Sequence, residues 1–230
     1  MTATSPPPAA GATRRRAALF DMDRTLIRRE TASLYVRYQR DRGEASLMDL
    51  VRTLYWVGQY TLGLLDAERM GERALLTLRG TPEARLIARC DDWFPRYVEQ
   101  HISPEGRAAV RRHQEAGDVC AIVTAATSYT TLPLARLLDI PLVVSTVLEV
   151  DAQGHFTGRP VRPLCYGEGK VTRARALAEA QGFRLEDATF YSDSISDLPL
   201  LSRVGEPVAV NPDPRLRREA ERRGWRILRW

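Results

Sequence analysis

The chain has 230 residues, 44% of them hydrophobic and 27% charged, with a formal net charge of +5. That length suits one large domain, or a core carrying a smaller insert, and the composition excludes global disorder. No apolar run reaches the roughly 18 residues of a membrane-crossing helix. The three cysteines, Cys90, Cys120 and Cys165, are too scattered for a disulfide framework or a zinc motif, so free thiols and a cytoplasmic protein are expected.

The pI near 9.4 invites a nucleic-acid reading. Yet the basic residues are dispersed among acids, as in "RRE", "DRGE" and "LRREAERRG", without the basic patches and interleaved aromatics of a nucleic-acid surface. Of the 34 basic residues 33 are Arg, and the one Lys is Lys170. Lys differs from Arg where a site needs a compact point charge.

In chain order, residues 1–14 carry three consecutive prolines and no apolar core of a secretory signal, and read as a disordered tail. "AALFDMD" is an apolar run ending in acids, a buried parallel strand that delivers Asp21 at its C-terminal end. From Thr31 to His101 the apolar residues recur at 3–4 spacing in four segments. Gly breaks, Ser46 and Asp66 as possible N-caps, and Thr81 and Pro82 as cap and first helical position divide them. Tyr55, Trp56, Tyr60, Leu64 and Leu65 form an apolar stripe that is either the core of these helices, a substrate-facing wall or an interface; a monomer or a homodimer is expected. The strand–helix alternation then resumes. "SPEGRAAVRRHQEAG" has a Ser cap and a Gly stop, "DVCAIVTAA" is a second buried strand, and "SYTTLPLARLLD" a helix. "LVVSTVLEVDAQGHFTGRP" reads as two strands turning at Gln153 and Gly154. "GEGKVTRARALAEAQG" is a helix, "DATFYSD" a third buried strand, and "SDLPLLSRV" a short helix. "EPVAVNPD", "PRLRREAERRG" and "WRILRW" give strand, helix and strand. This pattern predicts an α/β, Rossmann-like parallel sheet with an all-helical insert after the first strand. Ligands in such sheets bind at the carboxyl ends of the strands.

Four features fall at those ends. Asp21 and Asp23, two positions apart on an extended segment, point the same way and can supply a nucleophile with a general acid/base, or two metal ligands. Thr124 stands at the end of "CAIVT" in the second strand, and Lys170 opens a helix. Asp193 and Asp197 follow the third strand, and their oxygens suit Mg²⁺. Together they suit phosphoryl transfer, which needs positive charge around the phosphate oxygens. Asp21 would attack, Asp23 would protonate the leaving oxygen and then deprotonate water, and Lys170 and Thr124 would hold the phosphoryl oxygens. Asp21, Asp193 and the backbone carbonyl of Asp23 would hold Mg²⁺.

These motifs, "DMDRT" at 21–25, then Thr124, Lys170 and "SDSISD" at 192–197, occur in the order of the haloacid dehalogenase superfamily. The chain resembles that family, and most closely its phosphoserine phosphatase branch, over about residues 16–230; "CYGEGKV" and "AVNPDP" look like this branch too. The resemblance implies a core of residues 15–29 and 103–230, and a helical cap of residues 30–102. It implies a Mg²⁺-dependent phosphatase for a small phosphate monoester, with an aspartyl-phosphate on Asp21, metal contacts from Asp21, Asp23, Asp193 and Asp197, and phosphate or substrate contacts from Thr124, Ala125 and Ser196. Ser192 and Ala125 stand where the branch prefers Gly, and Ser196 where it often has Asn, which leaves the substrate open. Glu30, nine residues after the nucleophile, matches a Glu that contacts the substrate ammonium in the branch. It is either that contact, implying phosphoserine or histidinol phosphate as substrate, or a Glu favoured by the dipole of the first cap helix. Arg28 and Arg29 are expected in solvent, and His101, His113 and His155 without catalytic partners. Alternatives are a phosphotransferase or mutase using the same intermediate, and a phosphate-binding module without turnover.

Overall fold

The computed structural model describes residues 15–46, 48 and 75–230. The tail at 1–14, the aromatic stripe at 54–65, the Asp66 cap and most of the two middle helices expected in the insert lie outside the described residues.

Seven strands among the described residues form one sheet: β1 (Arg15–Phe20), β2 (Val119–Thr127), β3 (Leu142–Val150), β4 (Phe156–Val161), β5 (Phe183–Ser192), β6 (Glu206–Val210) and β7 (Arg226–Leu228). Their order is β4-β3-β2-β1-β5-β6-β7. Every neighbouring pair is parallel except the β3–β4 hairpin. From β1 the chain builds outward on one side through β2 and β3, then on the other through β5 and β6. The carboxyl end of β1 is therefore the switch point, where helices leave in opposite directions and a crevice opens.

The helices are α1 (Thr31–Asp41), α2 (Glu83–Trp93), α3 (Pro104–Glu115), α4 (Ser128–Leu137), α5 (Glu168–Gln181), α6 (Leu198–Leu201) and α7 (Pro214–Arg223). The central strands β1, β2, β5 and β6 carry runs buried on both faces, which is why they read as continuous apolar runs. Ala18 and Phe20 of β1 face a cluster with Ala109 and Val110 of α3 and Leu134 and Ala135 of α4. Ala17 and Leu19 face the opposite cluster, with Val171, Ala174 and Ala178 of α5 and Leu216 and Ala220 of α7. Phe20 stacks on Tyr191 with ring centroids 4.9 Å apart. Caps fix two of the helices. Ser103 accepts from Gly106 N and Asp213 from Arg215 N and Leu216 N, each with Pro at the next position.

The insert leaves and re-enters the core as a paired ribbon. Ile27 bridges Ile102, Arg28 N donates to His101 O (2.8 Å) and Ser103 N to Leu26 O (2.8 Å). Leu34 and Tyr38 of α1, with Trp93 and Phe94, join the same apolar cluster as Phe20. Two expectations for this region change. Pro82 is the N-cap of α2 rather than its first residue, because it bridges His155 and is held extended (ψ 134°). The single helix expected through His101 ends at Trp93 and continues as a π turn, Phe94–Val98, then a 3₁₀ turn, Glu99–His101. Pro95 has no N–H to donate, so the regular ladder cannot continue through it.

Candidate active site

β1 ends at Phe20, and Asp21 N donates to Tyr191 O (2.9 Å), so the sheet ladder itself fixes the first carboxylate. Asp21 Oδ1 accepts from Lys170 Nζ at 3.0 Å, and the same ammonium donates to Asp197 at 2.7 Å. Lys170 and Asp197 are each 2% exposed and Asp21 7%. A buried ammonium needs compensating charge, and here it has two carboxylates. They hold Lys170 protonated, its pKa raised despite desolvation. Burial pushes the Asp21 carboxyl upward, and the Lys170 charge opposes that shift.

Asp197 was expected among the metal ligands. Its carboxylate accepts from Lys170 and from Ser192, whose Oγ donates at 2.6 Å. Ser192 thus supplies a hydroxyl that Gly at this position would lack. Among the described residues Asp193 pairs with Arg24, whose Nε lies 3.4 Å from Oδ2. Burial, then the Asp21 and Glu30 charges, raise the Asp193 pKa well above the usual carboxylate range. Asp23 turns toward the start of α1: Thr31 N donates to Oδ1 (3.1 Å) and Thr31 Oγ1 to Oδ2 (3.0 Å). Burial, then Glu30 and Asp21, raise its pKa strongly. Thr25, last of the "DMDRT" run, is buried, with its hydroxyl unpartnered among the described residues.

Thr124 is not at the end of β2, which runs on to Thr127. The β2–β3 register shifts between Val123, paired with Val144, and Thr127, paired with Thr146. Four steps on β2 match two on β3, so Thr124–Ala126 bulge out of the ladder, as strands do next to sites. Ala126 N donates to Thr124 Oγ1 (3.2 Å), and Thr146 Oγ1 donates to the Ala125 carbonyl (2.8 Å). The Ser196 and Ser194 hydroxyls lie 2.9 Å apart. Glu30 is the N-cap of α1 but makes no side-chain capping bond. Burial raises its pKa against the pull of Arg24. Arg28 is exposed and pairs with Glu105 (2.8 Å), and Arg29 is exposed.

One cavity of about 150 Å³ collects Asp21, Asp23, Glu30, Thr124, Ala125, Lys170, Asp193, Ser196 and Asp197. All nine residues expected at the site line it. Asp213 lines it too and was not singled out from the sequence. Its Oδ1 accepts from Arg215 N and Leu216 N, its Oδ2 from Ile195 N (2.6 Å), and its own N donates to Asp193 O (2.8 Å). It therefore ties the Asp193–Asp197 loop to the start of α7. Its sequence signal was the Asp–Pro cap at 213 and 214, which marks a helix start and nothing about the loop it reaches.

His113 is also better connected than its sequence position suggests. Its Nδ1 lies 2.7 Å from Asp118 Oδ2 and its Nε2 2.9 Å from Tyr191 Oη. The contact with Tyr191 spans 78 positions and is invisible to local pattern, and His113 is not among the residues that line the cavity.

Six carboxylates and one ammonium line the cavity among the described residues. Such a surface repels a phosphate until a further cation is present. All-oxygen donors fit Mg²⁺, which takes one or two carboxylates and completes its shell with water and substrate oxygen. Among the described residues no three His, Cys, Asp or Glu side chains form a group that could hold a metal ion by themselves.

The sheet, its switch point and this acid-rich pocket define an α/β protein of Rossmann-like topology with a carboxylate-lined centre. Residues 18–202 match the family model described as haloacid dehalogenase-like hydrolase. The histidinol-phosphatase of Neisseria meningitidis serogroup C is 33% identical over 218 residues, 92% of this chain and 97% of that protein. A phosphoserine phosphatase of Mycobacterium tuberculosis is 34% identical over 217 residues, 92% of this chain and 70% of that one. Among solved structures, a Bordetella pertussis Tohama I protein of unknown function superposes with a TM-score of 0.83 at 33% identity, covering 94% of this chain and 99% of that one. A phospho-aspartyl intermediate analogue of phosphoserine phosphatase superposes at 0.70 with 18% identity, covering 94% and 93%, a likeness of fold. The chain belongs to the haloacid dehalogenase-like hydrolase family, and its named relatives in these comparisons include phosphatases.

Proposed function

We propose that the chain is a Mg²⁺-dependent phosphatase that hydrolyses a small, amine-bearing phosphate monoester through an aspartyl-phosphate on Asp21. The observation that carries the reading is Lys170, buried between Asp21 and Asp197 in the cavity that also holds Asp193.

Lys170 holds Asp21 Oδ1, which orients the carboxylate for attack by its second oxygen on phosphorus. The bond to the leaving oxygen breaks as that oxygen takes a proton from Asp23. Asp23 is suited to this because burial and neighbouring acids keep its proton on. Deprotonated Asp23 then takes a proton from water, whose oxygen attacks the aspartyl-phosphate and frees both phosphate and Asp21. Lys170, Thr124 and the backbone at Ala125 face the phosphoryl oxygens, and Ser196 contacts phosphate or substrate. Asp21, Asp193 and the Asp23 carbonyl would hold Mg²⁺, which when bound offsets the negative charge of phosphate and carboxylates. Asp197 belongs to the Lys170 ammonium rather than to the metal. Residues 30–102 would make up the cap.

Glu30 supports the amine-bearing class. It lines the cavity and caps nothing, and the relatives are named for histidinol phosphate and phosphoserine, substrates that each carry an ammonium group. The test is phosphate release with Mg²⁺ across phosphoserine, histidinol phosphate, sugar phosphates and lipid phosphates. Asp21→Asn is expected to reduce turnover by at least about 10³-fold. Glu30→Ala is expected to lower kcat/KM roughly 10- to 100-fold for amine-bearing substrates alone. Equal loss on sugar phosphates would reject the amine assignment.

A further inference from the structure

Arg24 follows Asp23 and is not used in the mechanism above. It is one of three non-glycine residues with positive φ among the described residues, at φ 55°. Left-handed backbone at Arg is disfavoured and persists only where the surroundings hold it. They do so here through Asn211. Asn211 Nδ2 donates to the Arg24 carbonyl (3.0 Å), Asn211 Oδ1 accepts from Trp230 N (2.9 Å), and Asn211 N donates to Leu228 O (2.9 Å). The β6 end and the chain's last strand thus clamp the turn that carries Arg24.

The side chain so aimed is about a third exposed. Its Nε lies 3.4 Å from Asp193 Oδ2 and its Nη1 4.0 Å from Glu30 Oε1. These are the carboxylates assigned above to the metal and to the substrate ammonium. Neither makes a tight contact with Arg24, and both face the cavity. A guanidinium 3.4 Å from Asp193 weakens the hold of a divalent ion on that carboxylate, because the like charges repel. The same holds at Glu30 for an incoming ammonium.

Resting on the proposed function, we infer that Arg24 is a resident cation of the empty site, neutralising Asp193 and Glu30 and competing with both the divalent ion and the cationic group of the substrate. Because it bridges the two, loss of one partner to a ligand loosens its hold on the other. Metal and ammonium binding then favour each other through Arg24, and by linkage the coupling is reciprocal. Arg24 is in this sense a specificity-determining residue. It weighs against ligands whose cation must displace it from Glu30, and leaves ligands that bring no cation there unopposed.

The test is calorimetric titration of the full chain with MgCl₂ alone, without substrate. Arg24→Asn removes the charge while keeping a residue that tolerates left-handed backbone. Arg24→Gly is a second charge-removing variant that takes φ 55° freely. Both are expected to bind Mg²⁺ roughly three- to tenfold more tightly than the wild type, and Arg24→Lys to stay within about twofold of it. The KM for an amine-bearing monoester should fall in the two uncharged variants, while that for p-nitrophenyl phosphate should not. Unchanged or weaker Mg²⁺ binding in both uncharged variants overturns the inference, as does equal tightening in Arg24→Lys. Should the wild type itself bind no Mg²⁺, the metal leaves the proposed function and the role of Arg24 goes with it. Metal binding without a gain in the variants rejects the Arg24 inference alone.

Discussion

At the scale of single residues the site is a problem in charge compensation. Lys170 is buried with two carboxylates at hydrogen-bond distance, and one of them, Asp21, is the proposed nucleophile. Asp197 is what prevents the ammonium from leaning wholly on Asp21. Asp197→Asn keeps the shape and an acceptor but removes one charge. Lys170 would then draw closer to Asp21 and lower its nucleophilicity. We expect kcat to fall at least about tenfold. Stability should drop by about 2–3 kcal/mol, less than for a buried charge left with no partner at all. Urea unfolding and initial rates measure the two effects. Unchanged stability with unchanged kcat would place the charge compensation elsewhere.

Elements carry these residues into place, and backbone contact decides how tightly. Gly169 precedes Lys170 in the first turn of α5. A Cβ there would stand 2.1 Å from the Leu164 carbonyl oxygen, a backbone atom that cannot swing aside. Gly182, at the other end of the same helix, has φ 70° and nothing within 4 Å of a Cβ. Gly169→Ala is expected to cost about 1–3 kcal/mol and to displace Lys170, with kcat down at least about tenfold. Gly182→Ala should cost about 1 kcal/mol through backbone strain and leave kcat unchanged. Thermal melts with parallel rates distinguish the two ends. The same contrast explains what could be read from the sequence. β1, β2 and β5 were legible because strands buried on both faces are unbroken apolar runs, and the acids that follow them mark the carboxyl edge. The cap at Ser103 was legible because Ser before Pro is a local signal. Long-range relations were not. Asp197 pairs with a Lys 27 positions away, and His113 reaches Tyr191 across the sheet. The bulge that lifts Thr124–Ala126 out of β2 depends on the register of β3. Nor did local pattern give Arg24 its left-handed backbone, which Asn211 imposes from 187 positions away.

Over the whole molecule, the insert and the core share one apolar cluster that runs from Phe20 through Tyr38 to Trp93, and the acids gather at the crevice above it. Unfolding is therefore expected as one cooperative transition, with the site's electrostatics felt in the stability of the entire chain. In the metal-free state six carboxylates crowd the cavity against one buried ammonium. A divalent ion that binds the folded chain and not the unfolded one stabilises it by mass action. At 100 times its dissociation constant the gain is about 2.7 kcal/mol. For a chain of this size that corresponds to a rise in Tm of roughly 5–10 °C. EDTA should remove both the rise and the turnover, and excess Mg²⁺ should restore them together. Asp193→Asn isolates the cause. It relieves like-charge crowding, so its Tm without metal should match or exceed that of the parent. It also removes a metal ligand, so Mg²⁺ should no longer raise it. A scan in which Asp193→Asn keeps the full Mg²⁺-dependent rise would locate the stabilising ion away from the cavity, and the metal centre would have to be sought on another face.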